Sequence, residues 1–179
     1  MERGNAVREM FAAIAPRYDA ANRVLTAGVD EAWRRRAVRE LVAPTQGAIL
    51  DLCTGTGDLA FHLARSDASL RVTGVDFCEP MLAAARERAK HEDKQNRVTF
   101  MCSDVLNLPF EDRSFDGATM GFSMRNVVDI TATLREIRRV LRPRARFVNR
   151  DLRGRTRLGE SPTRGPDILR RCRRSDATS

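Results

Sequence analysis

Aromatic residues are scarce in this chain, 6% of 179, with a single tryptophan and a single tyrosine. Proteins that stack nucleic-acid bases interleave aromatic rings with arginine, and no such interleaving is present. Histidine is limited to two residues, and the four cysteines (Cys53, Cys78, Cys102, Cys172) form no CxxC pair. That removes the usual zinc spacings and fits a reducing, cytoplasmic compartment. No apolar run reaches the about 18 residues of a membrane span, and Met1-Glu2-Arg3-Gly4-Asn5-Ala6 opens no apolar stretch of the secretory kind. The net charge of +8 is unevenly placed: residues 150–179 hold nine arginines and four acids, and the first 149 residues are close to balance with no basic stripe. No nucleic-acid partner and no metal are therefore expected.

What remains is an ordinary globular composition, 42% hydrophobic and 31% charged, of a length suited to one domain. Residues 1–47 read as helical. Val7, Met10, Phe11, Ile14 and Ala15 share one helix face until Pro16, and Asp30 is placed to cap a helix from Glu31 to about Val42. From Ala48 the pattern alternates. Strands are expected at Ala48–Leu52, Leu70–Asp76, Arg97–Cys102 and Phe115–Phe122, with a further one beginning at Ala145–Val148. Helices are expected at Asp58–Ala64, Glu79–Lys90 and Asp129–Leu141, the last stopped by Pro143. This predicts an α/β domain, doubly wound around a mostly parallel sheet. Residues 150–179 carry no aromatic residue and are rich in Arg, Ser, Thr, Gly and Pro, the composition of a disordered tail.

The chemistry concentrates at strand ends. Asp51-Leu52-Cys53-Thr54-Gly55-Thr56-Gly57-Asp58 joins a strand to a helix through a glycine turn, the build of a nucleotide-binding βα unit. Gly55 and Gly57 let backbone approach a ligand, and the following helix N-terminus can hold a carboxylate. Asp51 stands just before the turn, where it would repel a pyrophosphate and welcome a cationic head. S-adenosylmethionine, with its ammonium and sulfonium, fits that demand. Asp76 lies 19 residues after Gly57, placed for a ribose diol, and Asp104 follows the next strand, placed for an adenine amine. Phe77, Met81, Val105 and Leu106 are apolar neighbours for the base. An acid after a strand is equally a helix cap, and Gly55 to Ala60 also meets the looser dinucleotide fingerprint.

Together these residues resemble the UbiE/MenG family of class I methyltransferases. The likeness is carried by Phe11-Ala12-Ala13-Ile14-Ala15-Pro16-Arg17-Tyr18-Asp19, the stretch from Asn22 to Asp30, Trp33-Arg34-Arg35, the glycine segment, Val75-Asp76-Phe77, Leu108-Pro109-Phe110, Ser114-Phe115-Asp116 and Met124-Arg125-Asn126-Val127. It implies a Rossmann-like core over 48–149 under an N-terminal helical lid over 1–47. It also implies an enzyme that uses S-adenosylmethionine to methylate a ring carbon of a demethylated prenyl quinol in menaquinone or ubiquinone biosynthesis. A methyltransferase for another small molecule, or a catalytically impaired binding or assembly protein, is the alternative. The family's cofactor contacts fall on Thr56, Asp76, Asp104 and Val105, and one that is often Ser falls on Gly121. Arg125 is suited to hold a developing oxyanion, Asn126 to orient the ring oxygen, and Tyr18 to close over the site. The prenyl tail of such a substrate implies peripheral membrane contact; oligomeric state stays open.

Besides Gly121, the chain departs from the family near its C-terminal end. Arg144 follows Leu141-Arg142-Pro143 where the family has glycine, and a turn with positive φ there would be strained. After about residue 149 the family pattern gives way to the Arg-rich tail, so the last strands of the sheet are expected to be missing, as in a truncated or frame-shifted chain.

Overall fold

The computed structural model describes residues 36–41, 47–92, 96–151 and 154–157. The expected helices before residue 36, with Tyr18, Asp19 and Trp33, lie outside the described residues, as do Cys172 and the tail from 158. A helical segment over 36–41 comes first. It is followed by β1 (Ala48–Leu52), α1 (Asp58–Ser66), β2 (Arg71–Asp76), α2 (Glu79–His91), β3 (Val98–Cys102), β4 (Phe115–Gly121), a short 3₁₀ turn (Met124–Asn126), α3 (Ile130–Val140), β5 (Leu141–Asp151) and β6 (Gly154–Arg157).

The six strands form one sheet in the order β3-β2-β1-β4-β5-β6. β1 to β5 are parallel, and β6 is antiparallel to β5. The chain works outward from β1 to β3, then returns to lay β4 on the other side of β1, so strand order reverses between β1 and β4. In open α/β sheets that reversal opens a crevice at the carboxyl ends of the strands.

Strand period 2 divides the core. Ile49 of β1 packs with Ala37, Val38, Leu41, Phe61 and Leu63. Its neighbours Leu50 and Leu52 pack on the opposite face with Met120, Phe147 and, from α3, Ile137 and Val140. Both faces of β1 are covered, which is why it reads as a nearly unbroken apolar run. Asp129 caps α3 by accepting from the Ala132 N–H at 2.9 Å. Arg139 near the end of α3 donates to the carbonyls of Leu108 and Phe110 and pairs with Asp112 and Glu136, tying the 108–113 loop to the helix.

Two expectations about the end of the sheet are corrected. The strand expected to start at Ala145 begins at Leu141, directly after α3, and its register with β4 breaks between Phe115↔Leu141 and Gly117↔Arg146. Pro143 and Arg144 sit in that irregularity, where a missing donor and an odd backbone are tolerated. The sheet also continues past residue 149: β5 runs to Asp151, and residues 154–157 pair with it from Val148↔Arg157 to Asp151↔Gly154. Composition hid this because an edge strand joins by main-chain hydrogen bonds and needs no alternating apolar side chains.

Arg144 adopts φ 67, the left-handed conformation anticipated from the missing glycine. A Cβ there costs on the order of 1 kcal/mol. Arg144→Gly is expected to raise the melting temperature by about 2–4 °C, with Arg146→Gly, in regular strand, giving no gain; thermal unfolding of both variants checks this.

Candidate functional site

Four strand ends converge on the crevice. The β1–α1 turn is unusually constrained: Cys53 (φ 52), Gly55 (φ 57) and Gly57 (φ 84) are all left-handed. Its hydrogen bonds explain how it holds. The Thr54 N–H donates to the Val75 carbonyl at 3.0 Å, the Gly57 N–H to the Thr54 carbonyl at 2.9 Å, and the Gly55 N–H to Asp76 Oδ2 at 2.9 Å. Asp76 Oδ1 accepts from the Cys78 N–H, also at 2.9 Å. One carboxylate at the end of β2 thus braces the turn after β1 and the start of α2 together.

The two glycines differ in kind. A Cβ on Gly57 would lie 2.7 Å from Phe100 Cζ and 2.9 Å from Phe61 Cε2, so this glycine is needed for packing as well as conformation. A Cβ on Gly55 would meet nothing within 4 Å. Gly55 faces open space, which is the property of a backbone that a ligand approaches.

Asp51 corrects its expectation. It does not face the crevice as an open carboxylate: it is 1% exposed, and its oxygens accept from Thr54 Oγ1 at 2.6 Å and Thr119 Oγ1 at 2.7 Å. Burial pushes its carboxyl up to about 6 despite those donors, and the Asp76 charge adds to the effect. Burial likewise raises Asp76, against the lowering effect of its backbone donors. The Cys53 thiol is pushed far up by burial and by the same two acids.

Asp104 is exposed, and its Oδ1 accepts from the Leu106 N–H at 2.9 Å, shaping the turn after β3. Val105, 8% exposed, and Met81, 2% exposed, have their side chains in the core rather than against a ligand; any contact at Val105 falls to its main chain. Phe77 and Leu106 stay half-buried at the rim. Thr56 is buried in the turn. Gly121 ends β4, and its carbonyl accepts from Ser123 Oγ at 3.0 Å. Arg125 and Asn126 are exposed on the 3₁₀ turn that follows, with the Asn126 N–H donating to the Ser123 carbonyl at 2.8 Å. Tyr18 lies outside the described residues.

Sequence reasoning missed Thr54, Gly74, Phe100 and Thr119. Thr119 had a legible signal, a polar residue inside the apolar run of a doubly covered strand. Gly74 and Phe100 had none, because their roles are contacts between strands.

A model of the ubiE/COQ5 methyltransferase family matches residues 1–152. The chain belongs to that family. It is 46% identical over 147 residues to the demethylmenaquinone methyltransferase of Deinococcus radiodurans, covering 82% of this chain and 60% of that protein. It is 44% identical over 143 residues to the 2-phytyl-1,4-naphtoquinone methyltransferase of Trichormus variabilis, covering 79% of this chain and 62% of that protein. The chain therefore spans about three fifths of the length of these curated relatives. Among solved structures it resembles Haemonchus contortus phosphoethanolamine N-methyltransferase 2 in complex with phosphomonomethylethanolamine and S-adenosylhomocysteine. The TM-score is 0.60 with 29% identity over 65% of this chain and 27% of that one. The fold of this ubiE/COQ5 family member is that of the class I S-adenosylmethionine-dependent methyltransferases.

Two predictions come from the site geometry. Gly57→Ala is expected to lose on the order of 3 kcal/mol of stability through clash and backbone strain, and Gly55→Ala only about 1 kcal/mol; urea unfolding separates them. Asp51 binds its proton more tightly folded than unfolded, so its contribution to stability is full below about pH 4 and is lost as pH rises through about 6. Asp51→Asn should remove that decline, so the difference in melting temperature between variant and wild type grows in the variant's favour from pH 4 to pH 7.

Proposed function

We propose that this chain binds S-adenosylmethionine at the carboxyl ends of β1 to β4 and directs its methyl group to a ring carbon of a demethylated prenyl quinol. The observation that carries the cofactor reading is the open Gly55 backbone bonded to Asp76 at 2.9 Å. The residues present fit this cofactor. Asp76 accepts from the backbone N–H groups of Gly55, Cys78 and Phe77; two carboxylate oxygens offer about four acceptor sites, so capacity for a ribose hydroxyl remains. The turn at Gly55, Thr56 and Gly57 leads into the α1 N-terminus, suited to a carboxylate. The exposed Asp104 offers a polar edge, and the half-buried Phe77 and Leu106 apolar faces, that would suit an adenine. Family membership favours this cofactor over a nicotinamide dinucleotide.

When bound, the cofactor supplies an electrophilic methyl group on a positively charged sulfur. A phenol ring carbon is nucleophilic when the neighbouring hydroxyl gives up its proton. Arg125, permanently charged and exposed on the turn after β4, is suited to hold the resulting oxyanion, and Asn126 to orient the ring oxygen. The names of the family relatives support a quinone ring as substrate. A prenyl tail would bring the chain to a membrane surface from the cytoplasmic compartment; no described helix is long and apolar enough to cross a membrane.

Calorimetry with S-adenosylmethionine and transfer of labelled methyl to demethylmenaquinol test the reading. Asp76→Ala is expected to weaken cofactor binding by about 10–100-fold, the worth of hydrogen bonds to a charged acceptor. Arg125→Ala is expected to leave cofactor affinity intact and lower transfer by about 100-fold. Binding of NADH in place of the sulfonium compound would overturn the cofactor assignment, and binding without transfer to any quinol would overturn the substrate.

A further inference from the structure

Asp51 lies where β1 meets both neighbours, in register with Gly74 of β2 and Thr119 of β4. Thr119 is 0% exposed and spends its hydroxyl on Asp51 Oδ1, and Thr54 spends its own on Oδ2. Gly74 makes room for that second bond, since a Cβ there would fall 2.8 Å from Thr54 Oγ1 and 2.7 Å from Phe100 Cδ1. From β2 comes the like charge of Asp76, and from the turn the Cys53 thiol; the Thr119 hydroxyl of β4 and the Ala60 N–H of α1 are neutral. Among the described residues no lysine or arginine forms an ion pair with Asp51. A carboxylate so enclosed lacks a compensating positive charge.

We propose that Thr119 and Thr54 are positioning residues for cofactor recognition: their hydroxyls hold Asp51 as a carboxyl that releases its proton to solvent when a cationic ligand head settles at the glycine turn. This rests on the cofactor reading above. Neutral donors stabilise the carboxylate but leave it short of full ionisation near pH 6; an approaching cation supplies the remainder. Cofactor affinity therefore rises with pH, and each hydroxyl sets where the rise occurs. Losing the Thr119 donor moves the rise upward by about one pH unit.

The experiment is calorimetric titration with S-adenosylmethionine from pH 5 to pH 8, in two buffers of different ionisation enthalpy so that released protons are counted. For the wild type, affinity is expected to rise about tenfold between pH 5 and pH 7, with proton release near pH 6. Asp51→Asn should flatten the curve. Thr119→Val should bind about threefold more weakly at pH 6.5 and equally by pH 8, and Thr119→Ser should restore the wild-type curve; Thr54→Val, a second variant, should behave as Thr119→Val. A wild-type affinity independent of pH, or a Thr119→Val loss of one factor at every pH, overturns the proposal. Absence of binding at every pH overturns the cofactor reading and with it the proton release. The hydroxyl clamp is then judged in the free protein by the carboxyl-carbon NMR titration of Asp51. A midpoint raised in Thr119→Val and restored in Thr119→Ser upholds the clamp, and unchanged midpoints refute it.

Discussion

A buried carboxylate must be given donors, and the way Asp51 receives them organises the centre of this molecule. Its two acceptor oxygens draw one hydroxyl from the turn after β1 and one from the middle of β4. The strand pair that defines the reversal of the sheet and the loop that overhangs it are therefore held by the same side chain. Isolated burial of such a group would cost several kcal/mol; two charge-assisted hydrogen bonds offset much of that and leave the residue visible as a raised carboxyl. The geometry further depends on two glycines where a Cβ would fall under 3.0 Å from its neighbours. Gly74 admits the Thr54 hydroxyl, and Gly57 admits the Phe100 ring, which meets Phe61 edge-on at 5.7 Å between centroids.

The crevice is built from strain and crowded negative charge, and the surroundings are built to tolerate both. Of the seven described residues with positive φ, four (Cys53, Gly55, Gly57 and Phe122) stand at the carboxyl ends of β1 and β4; Gly47, Arg113 and Arg144 lie elsewhere. Such conformations persist where packing over-determines them and are common where ligands bind. Away from the crevice several charges are paired. Arg88 bridges Asp58 and Glu92 while its guanidinium lies 4.6 Å from the Phe61 ring centroid, joining α1 to α2. Arg97 closes the end of α1 by donating to the Ala64 and Asp67 carbonyls. Among the described residues, the donors to Asp51 and Asp76 are uncharged hydroxyl and backbone N–H groups.

Family membership and fold answer different questions here. A parallel sheet with a glycine turn hosts many chemistries, so the reaction must be argued from the site. Two parts of the site differ in how much they say. In the reading proposed above, Asp76 and the glycine turn it braces would select a kind of ligand, a nucleoside with a charged tail. Arg125 and Asn126, exposed on the short turn after β4, would in the same reading specify a reaction only together with a substrate ring.

The strand-turn-helix at Ala48–Ser66, the acids at successive strand ends and the parallel order were legible in sequence, because apolar periodicity and glycine placement are local properties that the chain carries with it. The strain at Arg144 was legible for the same reason: one backbone angle at one residue. The orientation of Asp51 was not. A carboxylate before a glycine turn looks available to a ligand until its register neighbours are known, and both Thr119 and Gly74 reach it only through strand pairing. The continuation of the sheet through Gly154–Arg157 was hidden for a related reason, since main-chain hydrogen bonds at an edge leave no side-chain pattern. Sequence determined which residues stand at the strand ends; tertiary pairing decided which of them are enclosed and which face the crevice, because enclosure is set by neighbours distant along the chain.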